Sequence, residues 1–332
     1  MKIKNAWIVF AVTLLIALPT RIYQVLFLVE PDTGFYTDGN TTTVIISACL
    51  AVGLLLMMVI CTMDKQKRAY SPIRSIPAAV IGTLTGLGII FQYAISLLAG
   101  GEKQNQIPSV ILSAFGILAG AVLILTAYNF ATEQNTFVKF PLLSLIPSLW
   151  GCVCLITLFI TYVSVVNISE NIYDTFTVIF LLLFLFAQAK MLAGIETEKS
   201  TKRIYVFGLP AVLMALLTGI PSAVLLFSGA SRTSAFPVGL HLVNILMAFY
   251  IIAFLAAVSH LPDIASKQSV TETAGQELHE AESKTTVDIA VQPDDAPRQE
   301  SCIAFLRKAY LSEEKFTERG KSPFIQSENK NC

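Results

Sequence analysis

Eight uninterrupted apolar runs constrain this chain more than any other feature. They cover approximately residues 6–29, 43–63, 76–99, 109–130, 140–166, 173–195, 204–228 and 238–260. Each reaches about 20 residues, the length a helix needs to cross the ~30 Å hydrocarbon core of a bilayer. The runs are continuous rather than alternating, so they read as helices and not as strands of a barrel. The expected fold class is an all-α integral membrane protein with eight transmembrane helices and the lipid bilayer as its main partner.

Composition supports that class. Only 14% of the 332 residues are charged and 54% are hydrophobic, with a mean hydropathy of +0.66. A soluble chain carries roughly 25% charged residues. The formal net charge is zero and there is no basic stripe, so nucleic acid is not an expected partner. The first run follows Met1-Lys2-Ile3-Lys4 and is too long for a signal peptide, so a retained first helix is expected.

Lysine and arginine set the expected orientation. One set of connections carries Lys2, Lys4, Lys65, Lys67, Arg68, Arg74, Lys139, Lys199, Lys202 and Arg203; the opposite set carries Lys103 and Arg232. This bias places both termini in the cytoplasm of a plasma-membrane protein.

Composition changes after His260. Residues 261–332 are rich in Glu, Asp, Ser, Lys and Gln, too polar to offset chain entropy by burial. A disordered cytoplasmic tail is expected there, able to recruit a cytoplasmic protein partner. Asp294-Asp295-Ala296-Pro297 could start a short amphipathic helix near 297–311, with Cys302, Ile303, Leu306 and Tyr310 on one face.

The apolar part reads as two related halves, 1–132 and 133–260. Thr41-Thr42-Thr43-Val44-Ile45 corresponds to Thr175-Phe176-Thr177-Val178-Ile179, and Met57 to Met191, at an offset of 134. Pro77-Ala78 with Thr85-Gly86 corresponds to Pro210-Ala211 with Thr218-Gly219 at an offset of 133. Four helices return the chain to its starting side, so the repeats would be parallel, about an axis along the membrane normal. Gly82 and Gly86, then Gly116 and Gly120, form two GxxxG motifs that predict close helix packing. Pro147, Pro210 and Pro221 remove backbone donors and are expected to bend their helices.

Ionisable residues well inside the runs are few: Arg21, Lys190 and His241. No Asp or Glu occupies the middle of a run, which argues against ion-coupled transport and aspartyl proteolysis. HExxH, GxSxG, Walker A and zinc-type cysteine spacings are all missing, so neither metal, cofactor nor catalytic centre is expected. Cys49, Cys61, Cys152 and Cys154 read as small buried hydrophobes. Lys190 lies near a run's cytoplasmic end, where its stem can snorkel.

The outward half is richer in polar groups. Arg21 and Gln24 fall late in the first run, Gln92 and Tyr93 late in the third, and His241 and Asn244 early in the eighth. Arg21, Gln92, Tyr93, His241 and Asn244 are the candidate ligand-binding residues of an outward-facing pocket. Arg21 would hold an anionic group. Glu170 and Asp174, at the start of the sixth run, are candidate ion-pair partners for it. The competing expectation is a scatter of interfacial polar residues, with Arg21 snorkelling to the headgroups.

Ser169-Glu170-Asn171-Ile172-Tyr173-Asp174, Ala187-Gln188-Ala189-Lys190-Met191-Leu192-Ala193-Gly194 and Phe207-Gly208-Leu209-Pro210 carry a resemblance. Across these helices the chain resembles uncharacterised eight-helix membrane proteins of anaerobic Gram-positive bacteria. The resemblance implies a bacterial plasma membrane. That family has no assigned activity, so it contributes no functional residue. Two functions stay open: a substrate-binding or transport-like membrane component, or a scaffold or sensor whose tail recruits partners.

Overall fold

The computed structural model describes residues 2–29, 36–39, 41–63, 72–98, 106–164, 170–195, 200–228 and 238–259. The tail 261–332, with the expected helix near 297–311, lies outside the described residues. Among the described residues, eight α-helices carry the fold: α1 Lys2–Phe27, α2 Thr41–Thr62, α3 Ile76–Leu98, α4 Gln106–Thr132, α5 Ile146–Ser164, α6 Glu170–Leu192, α7 Ser200–Ser228 and α8 Val238–Ser259. All eight are long and apolar enough to cross a membrane.

The fifth run differs from expectation. It opens with a short 3-10 helix, Pro141–Leu145, before α5 begins at Ile146. Pro147 therefore sits in the first turn of α5 and not inside it. A first-turn proline loses no helical hydrogen bond, because that N–H has no intrahelical partner anyway. Pro210 and Pro221 do lie inside α7, and Pro19 inside α1.

Helices α3, α4, α5, α6, α7 and α8 pack each on the next, and α8 closes back onto α3. The α1–α2 pair rests on α7. Helix α7 therefore has four packing partners, and every residue from Gly208 to Gly219 is buried. A helix enclosed on all sides must be apolar all round, and the Leu, Ala and Val of this stretch meet that demand. Helix α2 shows the contrasting pattern. Ile46, Leu50, Gly53, Met57 and Cys61 are buried at helical spacing. Val44, Ile45, Val52, Leu55, Leu56 and Val59 are exposed between them. Such an apolar exposed face suits lipid rather than water.

The two GxxxG motifs meet. A Cβ on Gly86 would lie 2.7 Å from the carbonyl oxygen of Gly120, and a Cβ on Gly120 would lie 2.7 Å from that of Gly86. Gly116 is filled by the ring of Tyr93, and Gly82 takes Ala127 and Tyr250. Close backbone approach replaces the hydrophobic drive that apolar helices lack in an apolar solvent. Inside the six-helix ring, Phe254 packs edge-on against both Phe130 and Phe184, with centroids 5.6 and 5.8 Å away.

The cysteines only partly follow expectation. Cys61 and Cys154 are buried, Cys49 is half-buried and Cys152 is exposed. Cys152 and Cys154 alternate across α5, so helical geometry puts them about 200° apart and only Cys154 faces inward.

The cation-rich end of the bundle is tied by polar contacts. Asn135 donates to the Leu192 carbonyl at 2.9 Å and accepts the Phe137 N–H. Ser144 donates to the Ala189 carbonyl. Asn135 thus supplies a donor to the final carbonyl of α6, and Ser144 adds a second donor to the Ala189 carbonyl, which also accepts the Ala193 N–H. Lys190 sits 4.9 Å from the Phe186 ring centroid, one turn back on the same helix.

Candidate functional site

The buried stripe of α1 runs Ala6, Phe10, Thr13, Ala17, Arg21, Gln24. This i, i+3, i+4 spacing is one helix face. It carries Arg21 into the bundle and not toward the lipid-like exterior, which Tyr23 and Phe27 occupy. Arg21 is only 4% exposed and Gln24 is fully buried. Snorkelling to a surface is therefore not what Arg21 does here.

Arg21 Nη1 donates to Gln24 Oε1 at 2.6 Å and to the Tyr36 hydroxyl at 2.9 Å. Gln24 passes the network on, donating through Nε2 to Thr43 Oγ1 at 2.7 Å. Tyr36 is positioned by the chain after α1, where the Thr37 N–H donates to the Leu28 carbonyl. Asp38 fixes the entry to α2 by accepting the Thr42 N–H at 2.8 Å. The guanidinium also stacks on α6, its carbon 4.2 Å from the Tyr173 ring centroid. The Tyr173 hydroxyl meets Ser47 of α2 at 3.3 Å.

The next residue of α6, Asp174, points elsewhere. Its Oδ1 lies 3.9 Å from Nδ1 of His241 on α8, and both side chains are buried. Asp174 also lines a narrow cleft together with Asn244, Leu240, Trp150 and Cys154. The cleft's water-accessible volume is about 20 Å³, room for a water but far below the several hundred Å³ of a typical ligand pocket. Of its lining residues, Trp150 donates to the Tyr93 hydroxyl at 2.9 Å, and that hydroxyl meets Cys154 Sγ at 3.9 Å.

The structure thus places the expected residues in two neighbouring groups. Arg21 belongs with Gln24, Tyr36, Thr43 and Tyr173. Asp174 and Asn244 share the cleft, His241 lies 3.9 Å from Asp174, and Tyr93 accepts from Trp150 of the cleft's wall. Gln92 is turned about 100° from Tyr93 on its helix. It lines neither the cleft nor the hydrogen-bonded network among the described residues. Glu170 opens α6, and its side chain lies outside the described residues. Tyr36, Thr43, Ser47 and Trp150 were not legible as site residues. The i, i+4 pair Thr43 and Ser47 at the start of an apolar helix was the one available signal. Among the described residues no group of His, Cys, Asp and Glu could hold a metal ion.

No family model, curated protein or solved structure matches the chain.

Proposed function

We propose that the chain is a multi-pass membrane protein of the plasma membrane, with a small-ligand site at its outward end. Both termini lie in the cytoplasm, and the tail follows α8 there. The charge asymmetry supports the orientation: Lys4, Arg74, Lys139, Lys190, Lys202 and Arg203 belong to one end, while Arg21 is the one described Lys or Arg at the other. The offsets of 133 and 134 between the halves support a parallel duplication. So does the role of Gly86 and Gly219, each of which receives the following helix closely.

A single observation carries the ligand-site reading. Asp174, buried 3.9 Å from His241, lines a cleft together with Asn244, and Tyr173 before it stacks on a buried arginine. Buried charge of this kind in an apolar bundle marks functional sites. A transport-like cycle would widen the cleft. The test is a thermal-shift screen of the detergent-purified chain with acetate, succinate, phosphate and sulfate. An anion that stabilises the wild type but not Arg21→Lys supports the reading. Stabilisation by none of them, or equal stabilisation of both proteins, overturns it.

The scaffold or sensor reading is favoured by a different fact: Arg21 is already held by Gln24, Tyr36 and Tyr173. Truncation after about residue 265 separates the two readings. A lost phenotype with an unchanged melting temperature supports the scaffold.

A further inference from the structure

We infer that solvent enters the six-helix ring from its lysine-rich end, through a polar pocket between α4, α5 and α6 that takes ordered water as far as Gln188. The pocket lies at the opposite end from the Asp174 cleft, and it does not depend on the outward-site reading.

Three side chains carry the inference, one from each helix. Asn129 of α4, Ser148 of α5 and Gln188 of α6 are 4%, 5% and 3% exposed. Asn129 Nδ2, Ser148 Oγ and Gln188 Oε1 have no hydrogen-bond partner among the described residues. A polar atom withdrawn from water without a partner is costly. Elsewhere the bundle avoids that cost. The buried Thr85, Thr126, Thr177 and Thr218 each turn the hydroxyl back onto a carbonyl of their own helix. Ser148 does not. It stands in the first turn of α5, and the residue four before it, Ser144, belongs to the preceding 3-10 helix.

Principles of connection put the three groups near one another. Ser144, one turn before Ser148, donates to the carbonyl of Ala189, the residue after Gln188. Asn135 donates to the carbonyl of Leu192, one turn beyond Gln188. Its neighbour Thr136 donates to Asn129 Oδ1 at 2.9 Å. Asn129 stands three residues before the end of α4, Ser148 two after the start of α5 and Gln188 four before the end of α6. At 1.5 Å per residue these are depths of about 3–6 Å from the three helix ends. Gln188 also donates to the Tyr250 hydroxyl of α8, so the pocket's inner end meets the aromatic interior of the ring.

The chemistry of the three groups suits water. Asn129 Nδ2 offers donors, Gln188 Oε1 an acceptor and Ser148 Oγ either. A buried water makes about three hydrogen bonds to groups of this kind. Charged neighbours in sequence turn away: Lys190 lies over the Phe186 ring, and Glu133 and Lys139 are exposed. An uncharged set of donors and acceptors favours a neutral guest over a bare ion.

Thiol accessibility tests the pocket. Ser148→Cys, Gln188→Cys and Ala187→Cys are made in the full-length protein with all six native cysteines replaced by Ser. Ala187 adjoins Gln188 and is as deeply buried, but belongs to the apolar core. Membranes opened to expose both faces are treated with 2-aminoethyl methanethiosulfonate. The thiolate is the reacting species and forms poorly away from water, so Ser148→Cys and Gln188→Cys should react about tenfold faster than Ala187→Cys. A rate no faster than that of Ala187→Cys at either position overturns the inference. Ser148→Cys exchanges only oxygen for sulfur, and it decides alone if Gln188→Cys fails to fold. A failed anion screen or an inverted topology would leave this result standing, so the readings fail separately.

Discussion

Arg21 of α1 and Tyr173 of α6 are joined face to face, the guanidinium carbon 4.2 Å from the ring centroid. Both side chains are buried. The contact fastens the α1–α2 pair to the six-helix ring at a second place, beyond its seat on α7. A cation over an aromatic face is worth about 2 kcal/mol or more when water is excluded. The ring, rather than the hydroxyl, should supply most of it. Tyr173→Phe, which loses only the long 3.3 Å contact to Ser47, should cost less than about 1 kcal/mol. Tyr173→Leu should cost about 2 kcal/mol more than Tyr173→Phe. Chemical unfolding in detergent measures the difference, and equal losses for the two variants would remove the cation–aromatic account.

Helix packing between α3 and α4 makes a sharper prediction. The backbones at Gly86 and Gly120 have no room for a methyl group, since the obstructing atom on each side is a carbonyl oxygen. Overpacking of this kind typically costs 1–3 kcal/mol. Gly86→Ala and Gly120→Ala should each lower the melting temperature. Gly88→Ala is the control: its new methyl meets only the mobile tip of Leu246. The thermal melts should rank Gly88→Ala clearly above the other two.

Sequence periodicity and run length were enough to find eight helices, because an apolar run of about 20 residues has few other stable forms. The glycine pairs were legible for a similar reason: small residues at i, i+4 create a flat face. The site was only half legible. Arg21 could be noticed but not oriented, since a few ångströms of depth decide between snorkelling and burial. Its place on the Ala6–Gln24 stripe emerges only once the helix phase is known. Asp174 looked like an end-of-helix residue, and its burial depends on His241 arriving from α8. The first turns of the fifth run, Pro141–Leu145, were read as helix because hydrophobicity does not separate α from 3-10 geometry.

Orientation is open to direct test by thiol labelling. In a background with all six cysteines replaced by Ser, Thr41→Cys and Lys139→Cys lie at opposite ends of the bundle, and both positions are exposed. A membrane-impermeant maleimide applied to intact cells should modify Thr41→Cys and leave Lys139→Cys unmodified until the cells are opened. The reverse pattern would invert the topology and with it the outward assignment of the Asp174 cleft.

Gln188 and Tyr250 offer a thermodynamic test of the ring interior. Gln188 on α6 donates through Nε2 to the Tyr250 hydroxyl on α8 at 2.5 Å, while its Oε1 is buried with no hydrogen-bond partner among the described residues. Tyr250→Phe removes the partner of the amide and leaves both of its ends unmatched. A buried polar group left without partners costs roughly 1–3 kcal/mol, whereas replacing both members by apolar groups can be nearly neutral. Tyr250→Phe should therefore destabilise the protein by that amount, and adding Gln188→Leu should recover most of the loss. The unfolding free energies of the two single variants and the double variant form a closed cycle. Additive losses would mean that the 2.5 Å contact contributes little to holding α6 and α8 across α7.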